Sequence, residues 1–363
     1  MSQPPEFERY QGRSDPVPDD ESSGIPQQIG AGVVVIGASA GGVEALQAVV
    51  AGLPADLRAV VLVVLHIPRQ APSALPGILD RAGKLPAVAA EHGIPAQPGT
   101  IYVAPADHHL LIRDGHLELS VGPTENGHRP AIDPLFRSAA VAFGAGAIGI
   151  VLSGARDDGA AGLTEIVKRG GQAVVQDPDE ALHRSMPACA LERVPSAHVL
   201  PAAKIGIVLG ELVGEGAAPL RHNPVNPDLA VENEIAALGP MTTDEMRSAR
   251  PSGFSCPSCH GVLFEVDNEP APRYRCRVGH AWSPVSLVAE QSIRVEETLW
   301  MALRALEEKA TMHLRLAEAA EQQERHRSAS LYREHYEKWK AQATRLRELI
   351  GWVSSGAEES HNL

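Results

Sequence analysis

Aromatic side chains make up only 4% of the 363 residues, so a core built on stacked rings is excluded. Ala, Val, Leu and Ile must fill the interior through close, glycine-permitted contacts. Cysteine is scarcer still. Three of the four cysteines cluster at Cys256, Cys259 and Cys276, which excludes the disulfide framework of a small secreted domain and points to metal ligation. Cys189 stands alone and reads as a small buried hydrophobe. Basic residues are outnumbered, 32 Lys and Arg against 45 Asp and Glu, for a net charge of −13. That balance argues against a general affinity for nucleic acid or anionic membrane. No apolar run approaches the roughly 18 residues of a membrane span, and the nearest, 59–65, has strand length and ends on His66. Residues 2–24 are polar and Pro-rich, without the basic start or apolar stretch of a secretory leader, so a cytoplasmic location is expected.

What is present is globular. With 44% hydrophobic and 21% charged residues, most of the chain can bury a sizeable core. β-Branched runs at 32–37, 59–65, 100–104, 147–152 and 172–176 alternate with Ala- and Leu-rich segments. Runs that are apolar on both faces predict parallel strands covered by helices. The expected fold class is therefore α/β: a doubly wound, mainly parallel sheet with helices on both faces, plus a small zinc-binding module and a C-terminal helical hairpin. The expected divisions are a disordered tail over 1–28, the α/β domain over 29–213, a linker over 214–250, the zinc-binding module over 251–284 and the hairpin over 285–355. The linker is rich in Gly and Pro, with a short helix expected near 232–238. In the hairpin, Leu299, Leu303 and Leu306 recur at helical spacing and the break falls near 325–330. A separate module beyond a linker predicts that losing its metal leaves the α/β domain intact.

Three strand ends carry the chemistry. Gly37-Ala38-Ser39-Ala40-Gly41 presents Ser39 on a strand-to-helix turn whose small neighbours let a hydroxyl stand clear. A helix N-cap serine and a phosphate-binding turn are the competing readings of that segment, although the Gly-Lys-Ser/Thr of a P-loop is absent. His66 ends the second buried run, and Asp157 and Asp158 follow the strand at 147–152. In an open α/β sheet such carboxyl-end residues share one crevice. Ser, His and Asp suit nucleophilic catalysis, because a hydroxyl needs an adjacent base and the imidazole needs an acid to fix its tautomer. The order Ser, His, Asp along the chain is not the Ser, Asp, His order of α/β-hydrolases.

The segments 36–42, 65–68, 104–109, 129–139 and 158–162 resemble the catalytic domain of the CheB chemotaxis-receptor protein-glutamate methylesterases, and the resemblance covers about 30–212. It implies a methylesterase catalytic domain over 29–213, with Ser39 as nucleophile, His66 as base and Asp158 as the orienting acid. The implied reaction is hydrolysis of glutamate γ-methyl esters on the cytoplasmic helices of chemoreceptor-like proteins, with deamidation of receptor glutamines as a second activity and no cofactor needed for catalysis. A non-catalytic signalling scaffold that keeps the fold is the alternative. Two departures stand out. Ala155-Arg156 replace the family's usual Met-Gly, which leaves oxyanion stabilisation to the Ala155 backbone. Only about 30 residues precede the first strand, too few for the phosphorylatable receiver domain that typical members carry, so direct phosphorylation is not expected to regulate this chain. Asp107, His108 and His109 fit local hydrogen bonding better than metal binding, Arg129, Asp133 and Arg137 fit a salt-bridge network or substrate contact, and Met186 fits a wall of the crevice.

Cys256, Cys259, Cys276 and His280 form a C-x-x-C and a C-x-x-x-H pair separated by sixteen residues. Four such ligands suit a closed tetrahedral zinc site, structural because no position is left for water. An adaptor role beside the helical hairpin, contacting other signalling proteins, is expected of this tail. Nucleic-acid binding and membrane insertion are not.

Overall fold

The computed structural model describes residues 32–215, 227–238, 250–266 and 272–360, the last eight by backbone alone. The expected tail over 1–28 and most of the expected linker lie outside them.

Seven parallel strands form the main sheet. They are β1 (Gly32–Ala38), β2 (Ala59–Leu65), β3 (Ala87–Ala89), β4 (Ile101–Val103) and, beyond the antiparallel hairpin of β5 (His109–Arg113) and β6 (His116–Ser120), β7 (Ala147–Val151), β8 (Gln172–Gln176) and β9 (His198–Leu200). Their order is β3-β4-β2-β1-β7-β8-β9. Alternation along β1 explains why both faces are covered. Val33 and Val35 join Val60, Leu62 and Val64 in one core layer, while Val34 and Ile36 join Val61, Val63 and Leu65 in the other. Helices α3 (Ile132–Phe143), α4 (Ala160–Lys168) and α5 (Ser185–Arg193) close the first layer. Helices α1 (Gly42–Gly52), α2 (Leu75–Ala82) and α6 (Ala202–Glu215) close the second. Each fully buried Val, Leu or Ile contributes about 1.5–3 kcal/mol, so these layers dominate the domain's stability. After β1 the chain builds outward through β2, then crosses back to β7. That switch point opens a crevice at the carboxyl ends of β1, β2 and β7.

The rest of the chain packs onto this core. Helix α7 (Pro227–Ala236), close to where a short helix was expected, lies against α3. Strands β10 (Arg250–Ser255), β11 (Val262–Val266), β12 (Arg273–Cys276) and β13 (Ala281–Trp282) form an antiparallel sheet in chain order. The hairpin consists of α8 (Pro284–Gln322) and α9 (His326–Ser360), joined by a core of Leu303, Ala343 and Ile350. Ser283 caps α8, its side chain accepting from the Ser286 N–H at 3.0 Å.

The Cys-rich module packs against the α/β domain. Arg273 and Arg275 project from β12 into the α/β domain, where Glu125, Glu232 and Arg137 meet them, all five buried. The stretch 124–126 also pairs with β13, Asn126 N–H donating to the Ala281 carbonyl at 2.8 Å and Ala281 N–H to the Thr124 carbonyl at 3.3 Å.

Candidate active site

Ser39 stands just after β1 on a turn held from below. Its N–H donates to the Ser153 carbonyl at 3.0 Å, and the Ser153 hydroxyl donates to the Ala40 carbonyl at 2.8 Å. Packing accounts for the neighbouring glycines. A Cβ at Gly37 would lie 2.3 Å from Ile132 Cγ2, and Gly41 has φ +68° with Leu182 and Ser153 against it. Those contacts weigh against the phosphate-binding reading of 37–42, whose glycines serve helix and loop packing instead.

His66, at the end of β2, is tethered by its N–H to the Ala38 carbonyl at 3.1 Å. Its Nδ1 lies 3.1 Å from Ser39 Oγ and its Nε2 lies 2.8 Å from Asp158 Oδ2. A carboxylate accepts, so Nε2 carries the hydrogen and Nδ1 is the free base that receives the Ser39 hydroxyl. This reverses the more familiar arrangement in which Nε2 faces the serine, yet the relay is the same. Asp158 also accepts from Ile132 N–H at 2.7 Å and Asn126 Nδ2 at 3.0 Å. Burial alone would raise its pKa, but the His66 hydrogen bond and charge and the Ile132 amide hold the carboxyl well below the usual range. It therefore stays ionised. Asp157, one residue earlier, points away and accepts from Ser283 Oγ at 2.6 Å and Ser286 Oγ at 3.0 Å.

Three supporting residues escaped the sequence reading. His128 stacks flat on His66, centroids 3.7 Å apart and planes 7° from parallel. Burial and the neighbouring His66 push its pKa down to about 3, so a neutral ring braces the base. Asn126, in the left-handed region at φ 52°, and Glu125 are the others. An Asn preceding Gly carries αL tolerance as its only local signal. The remaining candidates settle into support. Arg129 clamps Asp107 through Nε at 2.9 Å and Nη2 at 2.7 Å. Buried His109 lies 2.9 Å through Nε2 from the Pro123 carbonyl and accepts through Nδ1 from Ala131 N–H at 3.2 Å. Both ring nitrogens are thereby used. Met186 is buried, and a Cβ at Gly154 would lie 2.7 Å from its sulfur and 2.9 Å from Ser39 Cβ, so it packs beside Ser39. Asp133 receives Gly159 N–H at 3.1 Å and Gly162 N–H at 2.7 Å at the start of α4.

At the module, the ligand atoms of Cys256, Cys259, Cys276 and His280 all lie within 4.8 Å of one another. Cys259 and Cys276 sulfurs are 3.6 Å apart, and Cys276 Sγ is 3.4 Å from His280 Nδ1. A tetrahedron with Zn–S about 2.3 Å and Zn–N about 2.0 Å has edges near 3.5–3.8 Å, so the donor set fits zinc.

A Ser–His–Asp relay at the switch point of a doubly wound sheet is the constellation of a serine hydrolase. Residues 34–209 match the family model described as CheB methylesterase. Over 182 residues the chain is 38% identical to the protein-glutamate methylesterase FrzG of Myxococcus xanthus, covering 50% of this chain and 54% of the relative. Over 177 residues it is 39% identical to a protein-glutamate methylesterase/protein-glutamine glutaminase of Xanthomonas oryzae, covering 48% and 49%. The crystal structure of the Thermotoga maritima CheB methylesterase catalytic domain is 33% identical, covers 50% of this chain and 99% of its own, and superposes with a TM-score of 0.48. Over this segment, just under half of the chain, the similarity is to the CheB methylesterase catalytic domain. It spans about half the length of the curated relatives it matches.

Proposed function

We propose that the chain hydrolyses glutamate γ-methyl esters on the cytoplasmic helices of chemoreceptor-like proteins, with Ser39 as nucleophile, His66 as base and Asp158 as orienting acid. The unbroken relay from Ser39 through His66 to Asp158 carries this reading. Ser39 Oγ attacks the γ-carbonyl carbon while His66 Nδ1 takes its proton. The oxyanion that forms meets the positive end of α1 and the Ala155 backbone, and Asp158 stabilises the imidazolium. Collapse expels methanol, which takes the proton from Nδ1. Water then enters by the same base, and glutamate is released. Replacing the methoxy leaving group by an amide nitrogen turns the same steps into glutamine deamidation, the second activity proposed.

Zinc at Cys256, Cys259, Cys276 and His280 is proposed as structural and takes no part in these steps. The helices α8 and α9 would contact other signalling proteins, and the working compartment would be the cytoplasm. Among the described residues, no helix is long and apolar enough to cross a membrane. A non-catalytic scaffold would have no need of a triad in hydrogen-bonding order, which favours the enzyme. Methanol release from membranes carrying methylated receptors tests the proposal. The intact chain should release it and Ser39→Ala should not, whereas equal release by both would remove Ser39 from the mechanism.

A further inference from the structure

The Cys-rich module touches the α/β domain at a small set of residues, and every one from its sheet lies close to a metal ligand in sequence. Arg273 and Arg275 precede Cys276 in β12, and Ala281 and Ser283 follow His280. Arg273 and Arg275 reach Glu125, while Ala281 and Ser283 reach Asn126 beside the triad acid. Asn126 is the bridge. Its Nδ2 donates to Asp158 Oδ1 at 3.0 Å, while its Oδ1 accepts from Ser283 N–H at 2.8 Å and its own N–H donates to the Ala281 carbonyl at 2.8 Å. The side chain is buried, and no other residue contacts both the triad and the module through hydrogen bonds among the described residues. A second strap grips the neighbouring residue, Ser283 Oγ and Ser286 Oγ both donating to Asp157 Oδ1. Asp157 and Asp158 are thus drawn from opposite sides, one by the start of α8 and one by His66, Ile132 and Asn126.

The position of Ser283 depends on His280 three residues before it. The turn between Cys276 and His280 is short and closes on itself, with Gly279 N–H donating to the Cys276 carbonyl and Cys276 N–H to the His280 carbonyl. A segment this small buries little apolar surface, its cluster being Cys256, Leu263, Cys276, Trp282 and Leu287 with Cys259 and Tyr274 beside it. Metal ligation would supply most of its folding energy. Without an ion, β13 keeps its pairing with β12 and with 124–126 but loses its anchor at His280, and a shift there would cost Asn126 the partners that aim its amide at Asp158. Outer partners of this kind orient a reacting group and alter rates by 10- to 100-fold in comparable sites.

We propose that the zinc-loaded Cys-rich module is a positioning element of the triad, which acts through Ser283 and Asn126 to fix the carboxylate of Asp158. Metal occupancy then sets the rate of the chemical step. Asn126, Ser283 and the metal ligands are positioning residues and touch no substrate. The proposal rests on the esterase reading of the triad.

The experiment uses the full chain with and without zinc, and Asn126→Gly with zinc bound. Glycine is chosen because it removes the amide and still adopts the left-handed backbone found at 126. Two readouts are taken on each: kcat and KM for the γ-methyl ester of a blocked glutamate, and hydrogen exchange at the Ile132 and Asp133 amides that face Asp158. Zinc removal should lower kcat at least 10-fold with KM changed less than about twofold, and added zinc should restore it. Asn126→Gly should lose a similar factor at full zinc content, and stripping its metal should then cost less than a further threefold. Exchange at Ile132 and Asp133 should quicken at least 10-fold without metal while β1 and β2 keep their protection. Unchanged kcat and unchanged exchange in the zinc-free chain, or wild-type kcat in zinc-replete Asn126→Gly, would overturn the proposal. If stripping unfolds the whole chain, Asn126→Gly decides alone. If the zinc-loaded wild type hydrolyses no ester, the esterase reading fails while the exchange data still decide whether metal orders the loop.

Discussion

Glu125→Gln probes the cluster that binds the Cys-rich module to the α/β domain. Glu125 Oε1 receives Arg137 Nη2 at 2.7 Å and Arg275 Nη2 at 3.3 Å, and Oε2 receives Arg137 Nη1 at 2.9 Å and Arg273 Nη2 at 3.2 Å. Glutamine preserves the shape but turns one oxygen into an NH2 group facing two guanidinium donors, so at least two of the four bonds are lost. The charge balance worsens as well. Three guanidiniums against two carboxylates leave one net positive charge, and the substitution makes it two. A charge-assisted bond contributes about 1.5–3 kcal/mol and breaking a buried pair costs about 3–5 kcal/mol, so a loss of about 4 kcal/mol is expected. That is a large part of a typical stability of about 5–15 kcal/mol. In urea the midpoint should fall by about 1.3–2 M for a slope near 2–3 kcal/mol/M, read from the buried Trp282 and from far-UV circular dichroism. The control is Glu234→Gln, whose ion pair with Arg113 is 3.1 Å long but half exposed on both sides, and which should cost less than about 1 kcal/mol. A loss below 1 kcal/mol for Glu125→Gln, or equal losses for both variants, would refute the view that this cluster joins the two parts.

Asp158→Asn should lower kcat by about 10⁴, because an amide at that position favours the wrong imidazole tautomer. Asp157→Asn, which can still accept from Ser283 and Ser286, should lose less than about 10-fold, and the reverse ranking would place the triad acid one residue earlier. Gly37→Ala should destabilise by about 1–3 kcal/mol through overpacking against Ile132. Adding Ile132→Val should recover part of that loss, and no recovery would mean the contact is not the cause. Stability should peak at about pH 4–4.5. Burial alone would raise Glu232, but Arg273, Arg137 and Arg275 hold it down at about 2, below its unfolded value, so its contribution is present above about 4.5 and is lost as pH falls toward 2. Burial and Asp158 push Asp133 up to about 7, so its contribution is lost as pH rises from about 4 to 7. Urea midpoints across pH should show both limbs, and Asp133→Asn should flatten only the upper one.

The strands that carry Ser39, His66 and Asp158 were legible because burial on both faces writes continuous apolar runs, and parallel strands with helical crossovers bring their ends to one edge. The Cys256, Cys259, Cys276 and His280 cluster, which could hold a metal ion, was legible because its spacing is local. The hairpin β5–β6 went unread although Asp114-Gly115 marks its turn, with φ 49° and 76°. Strands β3 and β9, three residues each, carry too short a pattern to register. Arg273 and Arg275 are the instructive case. With Arg277 they make a small basic patch in the sequence, yet they are buried against Glu125, which lies 148 and 150 positions away. Nothing local to β12 announces an acid that distant. His128 and Asn126 were hidden for the same reason, since their partners His66, Asp158 and Ser283 come from other elements.

Ser39 is proposed above as a nucleophile activated by His66. The most direct measurement treats the zinc-loaded full chain with a serine-directed fluorophosphonate and locates the adduct by mass spectrometry. One adduct is expected, on Ser39, forming at least about 100-fold more slowly in His66→Gln. Labelling at another serine, or labelling of Ser39 at an equal rate in His66→Gln, would contradict it.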